Sequence, residues 1–333
     1  MKVLILGADG FIGRHIAFHL RDQGHTVLAQ ARNPRALDAM GFATMTADLT
    51  DPATHDPAFW RPHLDQCHLI NAAGLLTGSE ADFRAVHLAA PQAALTALQP
   101  KARALFISAV GIEADTPFAR WRRQTEAPFA HHTVLRPGLV LADTSHGGSS
   151  ALRALAALPF RTPVIGDGQQ RFTPIHAADL AAVALHHLTL PPQTLEIGGP
   201  EAISLTDLTL LIRRWLGLPR QPVLHIPLPL ARAIGHVGDA LCFGPISATA
   251  VAQLQSGVAS APHPLGAPRQ RLCLCPALRH PGPVARPALP DQTPDPPDAC
   301  HPLARLRHPW PPPAGRGFPR GALPPPRPRR RRH

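Results

Sequence analysis

The chain of 333 residues has no tyrosine, and its only lysines are Lys2 and Lys101. Chemistry that needs a phenol as proton donor is therefore excluded. None of the five cysteines forms a CxxC pair, and no His/Cys cluster has zinc spacing, so we expect no metal site. Uninterrupted apolar runs of about 18 residues are missing too, so we expect no membrane span.

Positive charge is concentrated at one end of the chain. The net charge is +11, but residues 262–333 hold 13 Arg, no Lys and 3 Asp, which leaves only +1 for residues 1–261. The body has no broad positive field, so we do not expect it to bind nucleic acid. The apolar start of the chain stops at Gly7 and is too short for a secretory signal, so we expect a cytoplasmic protein.

The last part of the chain, residues 258–333, differs in composition from the rest. Of the final 72 residues 21 are proline, and Ile, Met, Lys, Glu, Asn, Ser and Tyr are absent. Such a segment cannot bury a core, so we predict a disordered Pro/Arg-rich tail. Three interpretations stay open: a solvated tail, an arm that binds nucleic acid or an acidic partner, and G+C-rich DNA read out of frame.

Strand and helix patterns alternate from the first residue. Residues 2–6 form a short apolar run typical of a strand buried on both faces, and Ile12, Ile16 and Leu20 are four apart, as on one face of a helix. This alternation predicts an α/β fold with a doubly wound parallel sheet. The predicted strands cover residues 2–6, 26–32, 43–47, 68–72, 104–108, 133–135, 163–165, 172–175 and 195–197. The predicted helices cover residues 11–21, 81–98, 118–131, 177–188 and 205–216.

Three glycines stand between the first strand and the first helix. Gly7 is suited to the tight turn, Gly10 to close approach of the backbone to a pyrophosphate, and Gly13 to close packing of helix and strand. The pyrophosphate would bind the free N–H groups at the helix start, where the dipole favours anions. The pattern therefore predicts a Rossmann-type dinucleotide site that includes Phe11 and Ile12.

Further motifs follow in an order that resembles the short-chain dehydrogenase/reductase superfamily, in its extended and atypical, epimerase/dehydratase-like branches, over about residues 1–257. The resemblance implies adenine contacts, a cofactor-lining segment, a catalytic serine and a segment beside the nicotinamide. In that order the matching residues are Asp48 and Leu49, then Asn71, Ala72 and Ala73, then Ser108, then Arg136, Pro137 and Gly138. Two later segments, residues 172–180 and 197–199, also match.

The end of the second strand bears on the choice of cofactor. An NAD-specific site has an Asp or Glu there for the ribose 2′-OH, whereas this strand ends in Gln30, Ala31, Arg32 and Asn33. The Arg32 guanidinium is suited to a 2′-phosphate. We therefore predict NADP as the cofactor, with NAD as the alternative.

The catalytic pair of the superfamily is altered. Its usual Tyr-x-x-x-Lys pair is replaced by Phe118 and Arg122. Phenylalanine has no proton to transfer, and arginine can hold a ribose but stays protonated. Ser108 is then the remaining candidate catalytic residue, beside histidines such as His87 and His131.

Two classes of function stay open. One is a non-standard or vestigial oxidoreductase or epimerase acting on an unidentified small molecule. The other is a non-catalytic NADP-binding protein with a structural or redox-sensing role, like the nucleotide-binding accessory subunit of respiratory complex I and the NmrA-like regulators. For the organisation of the chain we predict an NAD(P)-binding domain over residues 1–143, the remaining sheet elements with a small substrate lobe over 144–257, and the tail over 258–333.

Overall fold

The computed structural model describes residues 1–75, 78–113, 117–145, 148–240 and 248–257, and the predicted tail lies outside this part. The strands are β1 (Lys2–Leu6), β2 (Thr26–Ala31), β3 (Ala43–Thr46), β4 (Cys67–Asn71), β5 (Ala104–Ile107), β6 (Thr133–Pro137), β7 (Val140–Leu141), β8 (Thr162–Ile165), β9 (Arg171–Phe172), β10 (Ile175–His176), β11 (Thr194–Ile197), β12 (Ile203–Ser204) and β13 (Val223–Ile226). The helices are α1 (Phe11–Asp22), α2 (Arg35–Ala39), α3 (Pro57–Trp60), α4 (Glu80–Arg84), α5 (Ala90–Thr96), α6 (Pro117–Glu126), α7 (Gly148–Ala156), α8 (Ala177–Leu188), α9 (Leu205–Trp215), α10 (Leu228–Ala240) and α11 (Ala248–Ser256).

Seven parallel strands form the central sheet, in the order β11-β6-β5-β4-β1-β2-β3. The strand order reverses at β1, which pairs with β2 on one side and with β4 on the other. The predicted doubly wound parallel sheet is therefore confirmed. In such sheets the ligand crevice lies outside the carboxyl ends of the strands at the reversal, here β1 and β4.

Two apolar layers enclose the sheet, and the first strand contributes to both. Val3 and Ile5 pack on one face with residues of α1 and α8, whereas Leu4 and Leu6 pack on the other face with residues of α3 and α5. All four side chains are fully buried. A strand that is buried on both faces needs a continuous apolar run, which is the pattern seen in the sequence.

One predicted strand, over residues 172–175, is wrong. The structure has two separate two-residue strands there, β9 and β10, with Thr173 and Pro174 between them. Proline has no N–H to donate to a ladder. The two strands also have different partners, because β9 pairs with β12 in antiparallel fashion and β10 pairs with β7 in parallel fashion.

Two predicted helices are shorter or less regular than expected. The segment predicted over 81–98 comprises α4, a π-helical turn (Ala85–Ala89) and α5. The helix predicted over 118–131 ends at Glu126, and a 3-10 turn (Ala127–Phe129) follows. Pro128 lies in this turn and lacks the N–H that a continued α-helix requires.

A third apolar cluster holds the C-terminal elements β8, α7, α9, α10 and α11 together. The sequence analysis did not predict α7, α10, α11 or β13. Arg213 of α9 is 2% exposed. It donates hydrogen bonds to the carbonyl oxygens of Ala156 and Leu158, at and after the end of α7, and to that of Pro219, after the end of α9. The domain boundaries at residues 143 and 257 stay predictions.

Candidate functional site

The glycine-rich loop is built on close backbone contacts. Gly7 has φ +70°, and a Cβ on it would lie 2.8 Å from the Cα of Ala73, in the segment after β4. A Cβ on Gly13 would lie 2.2 Å from the carbonyl oxygen of Gly7. These contacts leave no room for a side chain, so both glycines are required by packing within the protein.

Gly10 differs from these two glycines. A Cβ on it would meet only the Gly7 carbonyl oxygen, at 3.1 Å, which is tight but small in extent. Gly10 is the N-cap residue of α1, and no side-chain hydrogen bond caps the helix there. The N–H groups of the first turn, where Phe11 and Ile12 lie, therefore offer a site for an anion.

Gln30 is a residue of this site that the sequence analysis missed. Its side chain is 2% exposed, its Oε1 accepts from the Gly7 N–H at 2.8 Å, and its Nε2 donates to the Ala47 carbonyl oxygen at 2.6 Å. Gln30 therefore ties the glycine-rich loop to the segment after β3. A polar residue at the end of an otherwise buried apolar strand is the sequence signal for this role.

The predicted adenine and ribose contacts lie after β2 and β3. Arg32 and Asp48 are exposed, while Leu49 is buried in the core. The Thr50 backbone N–H and hydroxyl both donate to Asp48 Oδ1, at 2.9 and 2.8 Å. These hydrogen bonds, with a smaller effect of Arg32, lower the pKa of Asp48. The carboxylate is thus held in place and ionised near the guanidinium.

The segment after β4 lies against the glycine-rich loop, with Ala73 next to Gly7. Asn71 is fully buried, and its Oδ1 accepts from the Ala73 N–H at 3.1 Å. Ala72 is half-buried, and the N–H of Leu75 donates to His87 Nε2 at 3.0 Å. Asn71 Nδ2 and His87 Nδ1 are buried and have no partner among the described residues. Buried polar atoms of this kind mark places for a water molecule or a ligand group.

His87 lies in the π-helical turn and is 1% exposed. Its ring stacks on Phe83, with centroids 5.5 Å apart, and Phe83 stacks on Trp121 of α6. Burial, and secondarily the nearby Arg122 charge, lowers the pKa of His87 to about 3. The imidazole is therefore neutral at physiological pH and accepts a hydrogen bond through Nε2.

Arg122 is the residue predicted at the lysine position of the superfamily. Its Nη1 donates to the carbonyl oxygen of Ile107 at 3.2 Å, and its guanidinium lies over the Phe106 ring. A Cβ on Gly74 would be 2.7 Å from Arg122 Nη2, so the arginine packs directly against the segment after β4. Burial lowers the pKa of Arg122 to about 10. The side chain of Phe118, predicted at the tyrosine position, lies outside the described residues.

Ser108 follows β5 and is 4% exposed. Its hydroxyl donates to Glu126 Oε1 at 2.5 Å. Glu126 also forms a two-fold ion pair with Arg136, with Nε to Oε1 at 3.0 Å and Nη2 to Oε2 at 2.7 Å. The pair with Glu126 raises the pKa of Arg136. Glu126 was missed by the sequence analysis, although it lies on α6 one turn after Arg122.

The end of β6 converges with two neighbouring segments. Pro137 is buried at the end of β6, and the Gly138 N–H donates to the Ile197 carbonyl oxygen at 2.8 Å. A Cβ on Gly138 would lie 3.0 Å from the Thr173 carbonyl oxygen, and one on Gly199 would lie 2.0 Å from that of Pro174. The predicted site residues therefore lie at or just after the carboxyl ends of strands, or on α1 and α6, and their contacts with a cofactor stay predictions.

No helix in the described ranges is long and apolar enough to cross a membrane. No group of three or more His, Cys, Asp or Glu side chains in that part of the chain could hold a metal ion.

Comparison with known proteins bears on the first third of the chain most directly. Residues 3–116 match the NAD dependent epimerase/dehydratase family. The resemblance predicted from the motifs is thereby confirmed. No curated protein matches the chain.

Three solved structures with a similar fold share 12 to 22% sequence identity with this chain. MoeE5 in complex with UDP-glucose and NAD has a TM-score of 0.56 at 20% identity, over 68% of this chain and 85% of that one. The human epimerase family protein SDR39U1 with NADPH has a TM-score of 0.54 at 22% identity, over 70% and 85%. The dTDP-glucose 4,6-dehydratase of Bacillus anthracis with NAD has a TM-score of 0.57 at 12% identity, over 68% and 84%. At these identities the likeness concerns the fold.

Proposed function

We propose that this protein binds NADP(H) in the crevice at the carboxyl ends of β1 and β4. The observation that carries the proposal is the glycine-rich loop: Gly7 and Gly13 are closed by backbone contacts, whereas Gly10 leaves the uncapped start of α1 open. This arrangement fits a pyrophosphate bound to backbone N–H groups. Related folds are known with NAD and with NADPH bound, so the fold accommodates either dinucleotide.

The preference for NADP rests on the end of β2. The chain has no carboxylate there to accept from a ribose 2′-OH, and the exposed Arg32 follows the strand. In this proposal Arg32 binds the 2′-phosphate, and Asp48 and Leu49 contact the adenine. Asn71, Ala72 and Ala73 line the cofactor, Arg122 binds the nicotinamide ribose, and Pro137 lies beside the nicotinamide. A bound nicotinamide would supply hydride-transfer chemistry.

Catalysis, in this proposal, is non-standard or vestigial. The chain has no tyrosine, so the proton donor of the superfamily is missing, and Arg122 holds charge without joining a proton relay. We therefore assign the protein to oxidoreductase or epimerase chemistry of low rate on a small-molecule substrate.

A second candidate function is non-catalytic binding of NADP, for structural stability or redox sensing. One observation favours it. The Ser108 hydroxyl, the remaining candidate catalytic group, donates its hydrogen bond to Glu126, so it is not available to donate to a substrate. A protein that only holds the dinucleotide needs the glycine-rich loop and no proton donor.

Titration of the protein with NADPH and with NADH, followed by cofactor fluorescence, tests the proposed cofactor. A charge-assisted hydrogen bond contributes about 1.5–3 kcal/mol. Arg32→Ala should therefore lower the affinity for NADPH roughly 10- to 100-fold and hardly change the affinity for NADH. Arg61→Ala, at another exposed arginine just after α3, is the control and should change neither titration. Equal affinities of the unmodified protein for both cofactors would contradict the preference.

A further inference from the structure

A chain of hydrogen bonds at the C-terminal end of α6 links Ser108, Glu126 and Arg136. Glu126 receives three of them: one from the Ser108 hydroxyl and two from the Arg136 guanidinium. The Glu126 side chain is 13% exposed and that of Arg136 is 22% exposed, so water competes little for these contacts. Such two-fold arginine–carboxylate pairs are among the strong hydrogen-bonded ion pairs in proteins.

The direction of the hydrogen bond between Ser108 and Glu126 follows from this pairing. Both carboxylate oxygens of Glu126 accept from the Arg136 guanidinium, at 3.0 and 2.7 Å. A carboxylate paired in this way with a guanidinium acts as a hydrogen-bond acceptor. A serine hydroxyl has one proton and two lone pairs, so the proton between the two residues is that of Ser108.

We propose that Glu126 is a positioning residue that withdraws the Ser108 proton from the site, so that Ser108 presents only hydrogen-bond-accepting lone pairs to a ligand. This inference rests on the proposed function in one respect, namely that the ligand binds at the carboxyl ends of the strands, beside Ser108. The residue then selects ligand groups that donate a hydrogen bond, such as the hydroxyl of an alcohol, over a carbonyl oxygen that only accepts one. Ser108 consequently does not replace the missing tyrosine as proton donor.

The group at position 108 can report on the Glu126 charge without any ligand. In Ser108→Cys a thiol takes the place of the hydroxyl, and its ionisation can be followed by thiolate absorbance between pH 6 and 11. The five native cysteines are replaced first, so that only one thiol titrates; they are Cys67, Cys242, Cys273, Cys275 and Cys300. A thiol that donates to an ionised carboxylate should have a pKa above the ordinary value of about 8.5.

Glu126→Gln in the Ser108→Cys background is the decisive comparison. Removing the negative charge removes the interaction that favours the protonated thiol, so the thiol pKa should fall by at least about 1. Glu113→Gln is the matched control, because Glu113 lies 3.5 Å from Arg136 but is 74% exposed and does not bond Ser108; it should leave the thiol pKa unchanged. If Glu126 does not bond the group at position 108, its removal should leave the thiol pKa unchanged.

A second variant covers the case in which Glu126→Gln does not fold. Glu126→Asp keeps the charge and shortens the side chain by one methylene, so the carboxylate moves away from position 108 and the thiol pKa should fall by a smaller amount. If neither replacement lowers the thiol pKa in folded protein, the proposal is overturned. NADPH titration of the same proteins separates the two claims, because loss of cofactor binding counts against the proposed function, whereas an unresponsive thiol counts against the role of Glu126.

Discussion

Two parts of the molecule make up the predicted site, and they differ in what forms them. One is the glycine-rich loop, and the other is the α6 region, which comprises Ser108, Phe118, Arg122, Glu126 and Arg136. The loop around Gly7, Gly10 and Gly13 consists of backbone, and its geometry fits the binding of a pyrophosphate. The α6 region depends on side chains, and there we predict that Phe118 and Arg122 replace the Tyr-x-x-x-Lys pair of the superfamily. Backbone binding needs only small residues at fixed spacing, whereas proton transfer needs particular functional groups. A chain can therefore keep the first and lose the second.

The largest effects are expected in the loop, from two glycine substitutions that separate binding from packing. Gly10→Val should nearly preserve the melting temperature, since the first added atom meets only the Gly7 carbonyl oxygen, at 3.1 Å. It should block approach of a pyrophosphate to α1. With several charge-assisted hydrogen bonds lost, affinity for NADPH and NADH should fall by more than roughly 100-fold.

Gly13→Ala should instead affect both properties. Its methyl group would lie 2.2 Å from the Gly7 carbonyl oxygen, so the loop must shift at a cost of about 1–3 kcal/mol in the free energy of unfolding. Gly148→Ala is the control, because a Cβ there meets nothing within 4 Å. Thermal unfolding and NADPH titration measure the two effects, and retained binding in either loop variant would remove the loop from the proposed site.

The second prediction concerns catalysis in the α6 region. General acid catalysis contributes roughly 10²–10⁴ in rate, so the unmodified protein should reduce simple aldehydes and ketones slowly and without the alkaline limb that a low-pKa tyrosine gives. The double substitution Phe118→Tyr with Arg122→Lys should raise NADPH-dependent turnover of a carbonyl panel about 10-fold or more. If the protein is only a nucleotide-binding scaffold, parent and variant should bind NADPH and reduce nothing.

Ser108→Ala refines this second test. Because Glu126 holds the Ser108 proton, loss of the hydroxyl should weaken inhibition by the matching alcohols, which donate to it, and leave the KM for the carbonyl panel nearly unchanged. Fast turnover by the unmodified protein that Ser108→Ala leaves unchanged would contradict this description of the region and direct attention to a histidine.

The third prediction uses pH to distinguish the two regions. Burial lowers the pKa of His87 to about 3 in the folded protein, whereas the unfolded value is about 6.5. The unfolded chain therefore gains a proton below pH 6.5 that the folded protein does not, and the contribution of His87 to stability is lost as the pH falls towards 3. The loss should approach at most about 1.4 kcal/mol per pH unit.

His87→Gln tests this by difference, since glutamine can still accept from the Leu75 N–H. Thermal unfolding from pH 7 to pH 4 should show a smaller loss of stability in His87→Gln than in the parent. His131→Gln, at an exposed histidine, should follow the parent closely. Equal acid sensitivity of all three proteins would show that His87 does not carry the effect.

The smallest effect is expected at the tail, which neither region requires. A chain that ends near Gly257 should keep its melting temperature within a few degrees and its affinity for NADPH, because a Pro/Arg-rich segment adds few buried contacts. A large drop in melting temperature would show that the tail packs on the body. Sequencing the source DNA across codons 250–262 tests the out-of-frame interpretation, which an uninterrupted reading frame would reject.

The sequence by itself determined the sheet and the glycine-rich loop, because both depend on local patterns. The continuous apolar run of Lys2–Leu6 predicts a strand buried on both faces, and that strand lies in the middle of the sheet. The helix over Ala177–Leu188 was predicted with its bounds, since its apolar spacing is regular. Separate strands β9 and β10 were not predicted, because their partners β12 and β7 are distant in sequence.

Only the tertiary structure decided which side chains meet. Gln30 and Gly7 are 23 residues apart, and Ser108 and Glu126 are 18 apart, so no local spacing connects them. The environment of Arg122 likewise comes from β5 and the segment after β4, whose contact with α6 depends on the folded sheet. Hydrogen bonds between elements form only where packing brings a donor within about 3 Å of an acceptor. For that reason the sequence predicted where a dinucleotide could bind, while the hydrogen bond that occupies the Ser108 proton followed from the fold.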